Sequence, residues 1–129
     1  MKMLLLSVAA ATTLASVATA QRDSATAVGT WRGKSVCLVR PSACNDESVV
    51  YRITRTAVRD SVSMDALKIV AGREESMGVL GCRVSATAAL TCAIPNGVWK
   101  FQVRGDSLVG ELVTPNGTRF RDVRAMRAP

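Results

Sequence analysis

The chain contains no histidine in its 129 residues. Histidine is the side chain that most often acts as a general base near neutral pH, and it is the commonest metal ligand in proteins. No serine stands in a nucleophile-elbow motif, and there is no phosphate-binding loop, dinucleotide-binding fingerprint or calcium loop. We therefore expect a protein that is not an enzyme and that holds no metal and no cofactor.

Long apolar runs are also missing, except near the N-terminus. There Lys2 precedes the apolar run Met3–Val17, which is followed by small residues. Four hydroxyl side chains dilute the run, so it fits a cleavable signal peptide (1–20) better than a retained membrane anchor. We expect a secreted or periplasmic product without a transmembrane segment, with a flexible segment at 21–28 and one domain at 29–127.

Cysteine is scarce, but the number is even. The four cysteines are Cys37, Cys44, Cys82 and Cys92. In a small exported chain an even number indicates disulfides, and the spacings are not those of zinc ligands. Three pairings are possible, and we expect the two local ones, Cys37–Cys44 and Cys82–Cys92.

Acidic residues are outnumbered by basic ones. Beyond the predicted signal peptide, sixteen basic side chains against ten acidic ones leave a net charge of +6, and thirteen of the basic residues are arginines. A surplus of this kind favours anionic partners. The alternative is that the charges form an ordinary solvated surface.

Turn signals recur about every ten residues in the C-terminal half, at Asn96-Gly97, Gly105-Asp106 and Pro115-Asn116-Gly117. Such spacing predicts consecutive hairpins. Between the first two turns, apolar and polar residues alternate with a period of two, which is typical of a half-buried strand. The residues of its apolar face are Trp99, Phe101 and Val103.

Counting outward from these turns predicts the register. A two-residue turn at Gly105-Asp106 pairs Trp99 with Leu112, Phe101 with Gly110 and Lys100 with Glu111. A turn at Asn96-Gly97 pairs Ile94 with Trp99, Cys92 with Phe101 and Leu90 with Val103. A three-residue loop with a left-handed Gly117 pairs Leu112 with Phe120 and Glu111 with Arg121, and we expect a bulge past Asp122. The pair Val84 and Leu90 brings Cys82 opposite Cys92 across a loop at 86–88.

The N-terminal half adds four strands to these four. They are expected at Thr30–Arg40, Ser48–Arg55, Ser61–Val70 and Ser76–Val84. A short helix at Asp65–Ile69 is the alternative for part of the third, because so few residues fit either period. Eight short antiparallel strands favour an all-β, up-and-down barrel over a sandwich, since closure leaves no exposed edge.

Gly29-Thr30-Trp31 at the start of the first strand resembles the Gly-x-Trp signature of the calycins, the group of lipocalins and avidin-like barrels. The resemblance implies that Trp31 closes one barrel end under an arginine from the last strand. Arg119, Arg121 and Arg124 are the candidates, and Arg124 is the preferred one because Arg121 faces outward in the predicted register. A wider pattern resembles small exported bacterial proteins with no assigned role. Its elements are Cys44-x-Asp46-Glu47, Met77-Gly78, Trp99-x-Phe101 and the closing strand with its arginines.

Three functions remain in order of preference. The first is a non-catalytic carrier of a small apolar or amphipathic ligand inside the barrel, bound by Trp99, Phe101, Leu112 and Phe120. The second is a basic surface-binding or inhibitor module that recognises an anionic polymer or a protein through arginines. The third is an enzyme using Asp46 and Glu47, which are more simply the polar residues of a loop. We do not expect nucleic acid as a partner, because the aromatic residues are predicted to face inward.

The arginines that would serve the second function form two clusters along the sequence. One cluster consists of Arg52, Arg55 and Arg59, and the other of Arg119, Arg121, Arg124 and Arg127. In the predicted register, Arg119 and Arg121 share one face of the last strand.

Overall fold

The protein is an all-β barrel of eight antiparallel strands that pair in sequence order, with the last strand closing on the first. The computed structural model describes residues 24–129, so the predicted signal peptide lies outside the described residues. The strands are β1 (Gly29–Cys37), β2 (Glu47–Arg55), β3 (Ser61–Val70), β4 (Arg73–Val84), β5 (Ala89–Ile94), β6 (Gly97–Arg104), β7 (Ser107–Val113) and β8 (Arg119–Arg127). The predicted up-and-down barrel is confirmed.

Alternating residues of each strand point into the barrel, as the period of two requires. They form one core, and its largest fully buried side chains are those of Trp31, Ile53, Met64, Leu90 and Leu108. Asp65–Ile69 belongs to β3, so the alternative of a short helix is wrong. No helix in the described part of the chain is long and apolar enough to span a membrane.

Residues 24–27, which we expected to be flexible, form one helical turn ahead of β1. Ala27 in this turn is fully buried in the barrel core. Its carbonyl oxygen accepts a hydrogen bond of 2.9 Å from the indole nitrogen of Trp31. The turn is therefore anchored to the end of the barrel where β1 begins, which we call the Trp31 end.

Both predicted disulfides are present. Cys37–Cys44 anchors the loop between β1 and β2 at the opposite end of the barrel, the Cys37 end. Cys82 and Cys92 lie on β4 and β5 with their Cα atoms 4.3 Å apart. Backbone pairing of these two strands is confined to Arg83 with Thr91 and Val84 with Leu90, so this disulfide reinforces the shortest ladder of the barrel.

The predicted register is confirmed between β6 and β7, where Trp99 faces Leu112 and Phe101 faces Gly110. Between β5 and β6 the prediction is wrong by two residues, since Ile94 pairs with Gly97, Cys92 with Trp99 and Leu90 with Phe101. The turn there is Pro95-Asn96. A shift of two residues leaves the same side chains facing inward, so the predicted core face survives.

The register between β7 and β8 is wrong by one residue, because a bulge lies earlier than expected. Thr114 pairs with Thr118 around a three-residue loop, and Gly117 has the predicted left-handed conformation, with φ +86°. Val113 then pairs with Arg119, but Leu112 pairs with Arg121, so Phe120 is the extra residue. Arg121 and Asp122 therefore face the side opposite to the predicted one.

The β3–β4 hairpin bends over the outside of β2. Its ladder shifts between Ala66 and Leu67, where Met77 is the extra residue of β4. The bend brings Glu74 near the hairpin tip into a two-pronged ion pair with Arg52 on β2, with nitrogen–oxygen distances of 2.7 and 2.8 Å. Val50, which faces outward, is buried.

Candidate functional site

The Trp31 end of the barrel is closed by an arginine of β8, as the calycin resemblance implies, but the residue is Arg127. Its guanidinium carbon lies 4.3 Å from the centre of the Trp31 ring. Two of its nitrogens donate hydrogen bonds to the carbonyl oxygens of Val28 and Thr26, at 2.9 and 2.6 Å. The preferred candidate, Arg124, points to solvent instead. Arg124 and Arg127 both follow the bulge at Phe120. Because they are three residues apart on one strand, their side chains lie on opposite faces.

The Cys37 end is closed by a second arginine of the same strand. Arg121 on β8 pairs with Cys37 on β1. Its side chain faces inward, so the outward orientation predicted for it is wrong. Its guanidinium donates to Ser35 Oγ at 2.9 Å and to the carbonyl oxygen of Asn45 at 2.8 Å, and lies 3.7 Å from a Glu47 oxygen. The side chains of Arg121 and Glu47 are only 13% and 20% exposed. The end of the barrel opposite Trp31 thus holds an anchored ion pair.

Tyr51 lies inside the barrel and contacts the same region. Burial raises the pKa of its phenol, Arg121 opposes this rise, and Glu47 adds to it. The phenol ring meets Phe101 edge to face at a centroid distance of 5.6 Å. Tyr51 therefore belongs to the packed interior and stays protonated well above neutral pH.

Of the four residues predicted to bind a ligand, Phe101 belongs to the buried core and Trp99 packs against it. Trp99 and Phe101 stack with their ring centres 5.5 Å apart and their planes within 13°. Phe101 covers Gly110 so closely that a Cβ there would lie 2.3 Å from the ring. Leu112 is buried, whereas Trp99 and Phe120 are half-buried. Phe120 is set apart from the other three by the bulge.

Cavities lie on the outer wall and at the rims of the barrel. A groove of about 640 Å³ runs beside Val58 and Arg59 along the β4–β5 seam, and another of about 470 Å³ lies beside Glu47 and Lys68. Phe101, one of the four predicted ligand-binding residues, lines a cavity of about 280 Å³ together with the outward-facing residues Lys100 and Gln102.

The two adjacent carboxylates that were candidates for acid and base have separate partners. Asp46 accepts a hydrogen bond of 2.8 Å from the backbone nitrogen of Cys37, and it forms an ion pair with Arg40 at 2.6 Å. Glu47 faces Arg121 inside the barrel. Among the described residues, no group of three or more acidic or cysteine side chains is close enough to hold a metal ion.

The two arginine clusters predicted from the sequence are dispersed by the fold. Arg52 is held by Glu74, and Arg119 is held by both Glu111 and Asp122 on the outer wall, at 2.8 and 2.5 Å. Arg119 and Arg121 lie on opposite faces because of the bulge between them. Of the C-terminal cluster, only Arg124 remains without an ion pair in the described region.

Arg124 instead joins a different group of cations, which the sequence analysis did not identify. Lys34 on β1 stands directly opposite Arg124 on β8. Arg32 lies two positions before Lys34 on the same outer face, and Arg104 extends the group onto β6. We call these four residues the basic outer face; only the cross-strand register, which depends on the bulge, brings them together.

The charges of the basic outer face are largely uncompensated. Lys34 donates a hydrogen bond of 2.6 Å to Ser48 Oγ, which is neutral. Within residues 24–129, none of the four cations forms an ion pair with a carboxylate; Arg32 only lies close enough to help Arg52 lower the pKa of Glu74. The arrangement can therefore attract and bind anionic groups.

Neither a comparison with models of protein families nor a search of curated proteins found a match for this chain.

Proposed function

We propose that the mature protein is an exported binding module that attaches to an anionic partner through the basic outer face. The observation that carries the proposal is the cross-strand pair Lys34 and Arg124. Like charges directly opposite each other destabilise a sheet. The isolated barrel gains nothing from this pair, whereas an anionic partner lying across β1 and β8 neutralises both charges at once.

The filled interior supports a surface site over a ligand carried inside the barrel. Eight strands enclose a space that side chains can fill. Trp31 and Arg127 occupy one end, and Arg121 and Glu47 occupy the other. A ligand inside the barrel would have to displace Phe101 from its contacts with Trp99, Tyr51 and Gly110.

Export and a calycin relationship are parts of the same proposal. Two disulfides are typical of proteins that fold in an oxidising compartment. The eight-stranded closed barrel and the packing of a last-strand arginine on Trp31 are compatible with a calycin-like fold. We carry over the fold from that group and no ligand.

The test compares two triple variants that lose the same charge. Arg32→Ser, Lys34→Ser and Arg124→Ser together remove most of the basic outer face. The control changes three other exposed arginines without ion pairs in the described region: Arg55→Ser, Arg59→Ser and Arg83→Ser. The probe is fluorescently labelled heparin at low ionic strength.

We expect the face variant to bind heparin about 3- to 150-fold more weakly, since each of the three exposed charges contributes about 0.2 to 1 kcal/mol. The control should keep most of its affinity. Equal losses in both variants would show that binding follows net charge and not this face.

A further inference from the structure

Exposed apolar side chains lie among the cations of the basic outer face. Met126 on β8 stands opposite Arg32 on one side and Ser107 on the other, and it is 57% exposed. Val109 on β7 stands opposite Arg124 and is 36% exposed. The face therefore has an apolar centre between charged residues.

The Met126 side chain is also oriented. Ser107 Oγ donates a hydrogen bond of 3.4 Å to its sulfur atom, which holds the thioether against the outer wall. A side chain that is already positioned loses less conformational freedom on binding. Arginine and methionine are enriched in protein–protein interfaces, where charged residues surround an apolar centre.

Other partners gain less from this composition. A hydrophilic polyanion can pair with the cations but leaves Met126 and Val109 without a contact. A lipid surface is engaged by aromatic or long apolar side chains, yet Trp31, Tyr51 and Phe101 are buried in the core, Trp99 packs against it, and no aromatic residue belongs to the basic outer face. A second copy of this chain would bring like charges together.

We propose that the partner is a folded protein that presents carboxylates around an apolar contact, and that Met126 is the central residue of the interface. The inference rests on the proposed function, because it assigns the class of partner to the same face. Carboxylates would pair with Lys34 and Arg124, while an apolar side chain of the partner covers Met126 and Val109.

The first step of the test is photo-crosslinking. A diazirine-bearing methionine analogue is placed at position 126, or at position 77 as the control, since Met77 is an exposed methionine on β4. Each protein is irradiated with the exported proteins of the cells that produce it. Any protein crosslinked from position 126 and not from position 77 is then identified and purified.

The second step measures the affinity of that purified protein for defined variants. We expect Met126→Gln to weaken binding by about 5- to 30-fold, because truncating or polarising a central contact is costly. Met77→Gln should have no effect. Retention of Met126→Gln on heparin should be unchanged, since the cations are intact.

The two proposals fail separately. If position 126 crosslinks no protein, or if the purified protein binds Met126→Gln as tightly as the unaltered chain, the inference of a protein partner is overturned. In that case a heparin difference between the two triple variants still supports the anionic surface site. Equal heparin losses in those variants overturn the proposed function itself.

Discussion

At the residue scale, the closest comparison is between Arg124 and Arg127, two arginines of β8 with opposite roles. Arg127 packs on Trp31 and holds the helical turn through two backbone carbonyl oxygens. Arg124 faces solvent opposite Lys34. The resemblance to calycins correctly implied an arginine over Trp31. Which arginine it is depends on which residues of β8 face inward after the bulge, and the sequence does not mark the position of that bulge.

Replacing each arginine with glutamine tests this assignment. We expect Arg127→Gln to lower the free energy of unfolding by about 1 to 3 kcal/mol, because a cation–π contact and charged hydrogen bonds are lost. Arg124→Gln should change it by less than about 0.5 kcal/mol. Urea denaturation measures both, and a larger loss for Arg124→Gln would contradict the assignment.

Tyr51 provides a pH test of the interior, because it is the only tyrosine in the chain. Burial raises the folded-state pKa of its phenol, whereas the unfolded phenol titrates near pH 10. Its contribution to stability is therefore complete below about pH 10 and is lost as the pH rises further. The ultraviolet absorbance of tyrosinate reports the ionisation directly.

We expect the folded protein to show no tyrosinate at the pH where the urea-unfolded protein is half ionised. Tyr51→Phe should abolish the signal and reduce the loss of stability at alkaline pH. Ionisation of the folded protein near pH 10 would show that Tyr51 is accessible and the interior is open.

At the element scale, the hairpins were predictable wherever a turn and the alternation agreed. Gly105-Asp106 fixed the β6–β7 register, and the cysteine pair supported the β4–β5 register even though Ala88 occupies the left-handed position there, with φ +57°. At the β5–β6 turn, Gly97 is the first residue of β6 and not part of the turn. Its φ of +152° is rare for other residues, and a Cβ there would lie 2.3 Å from the Val113 carbonyl oxygen, so backbone conformation and close packing both require this glycine.

The positions of the bulges were beyond what the pattern could show. At Phe120 an apolar residue between two arginines fits an uninterrupted strand equally well, so alternation alone gives the wrong face for Arg121. The basic outer face was missed for the same reason. Its residues come from three strands and lie together only in the observed register. Sequence clusters of arginine were therefore a poor guide to the site.

The pairing of β1 with β8 yields a stability prediction. Lys34→Glu replaces a like-charge pair with an opposite-charge pair across from Arg124, so it should raise the free energy of unfolding by about 0.2 to 1 kcal/mol. Heparin binding should weaken in the same variant. Lys100→Glu is the matched control, because Lys100 faces Glu111 and the same charge change there creates a like-charge pair.

Thermal and urea denaturation measure both variants. The expected signs are opposite, with Lys34→Glu stabilising and Lys100→Glu destabilising. Destabilisation by both variants would show that repulsion between Lys34 and Arg124 does not lower the stability of the folded protein.

At the scale of the whole molecule, a single strand closes both ends of the barrel. β8 supplies Arg127 to the Trp31 end and Arg121 to the Cys37 end, while Arg124 between them faces the outside. The same strand thus completes the packed interior and contributes to the basic outer face. The proposed binding site consequently lies on the wall of the barrel and not in its mouth.

The most direct test is a titration of the isotopically labelled protein with a short heparin oligosaccharide, followed by backbone and indole NMR signals. We expect the largest shifts at Arg32, Lys34 and Arg124, while the Trp99 indole and the Phe101 amide remain unchanged. Shifts concentrated at Trp99 and Phe101, with the β1 and β8 signals unaffected, would contradict the account and return the site to the interior.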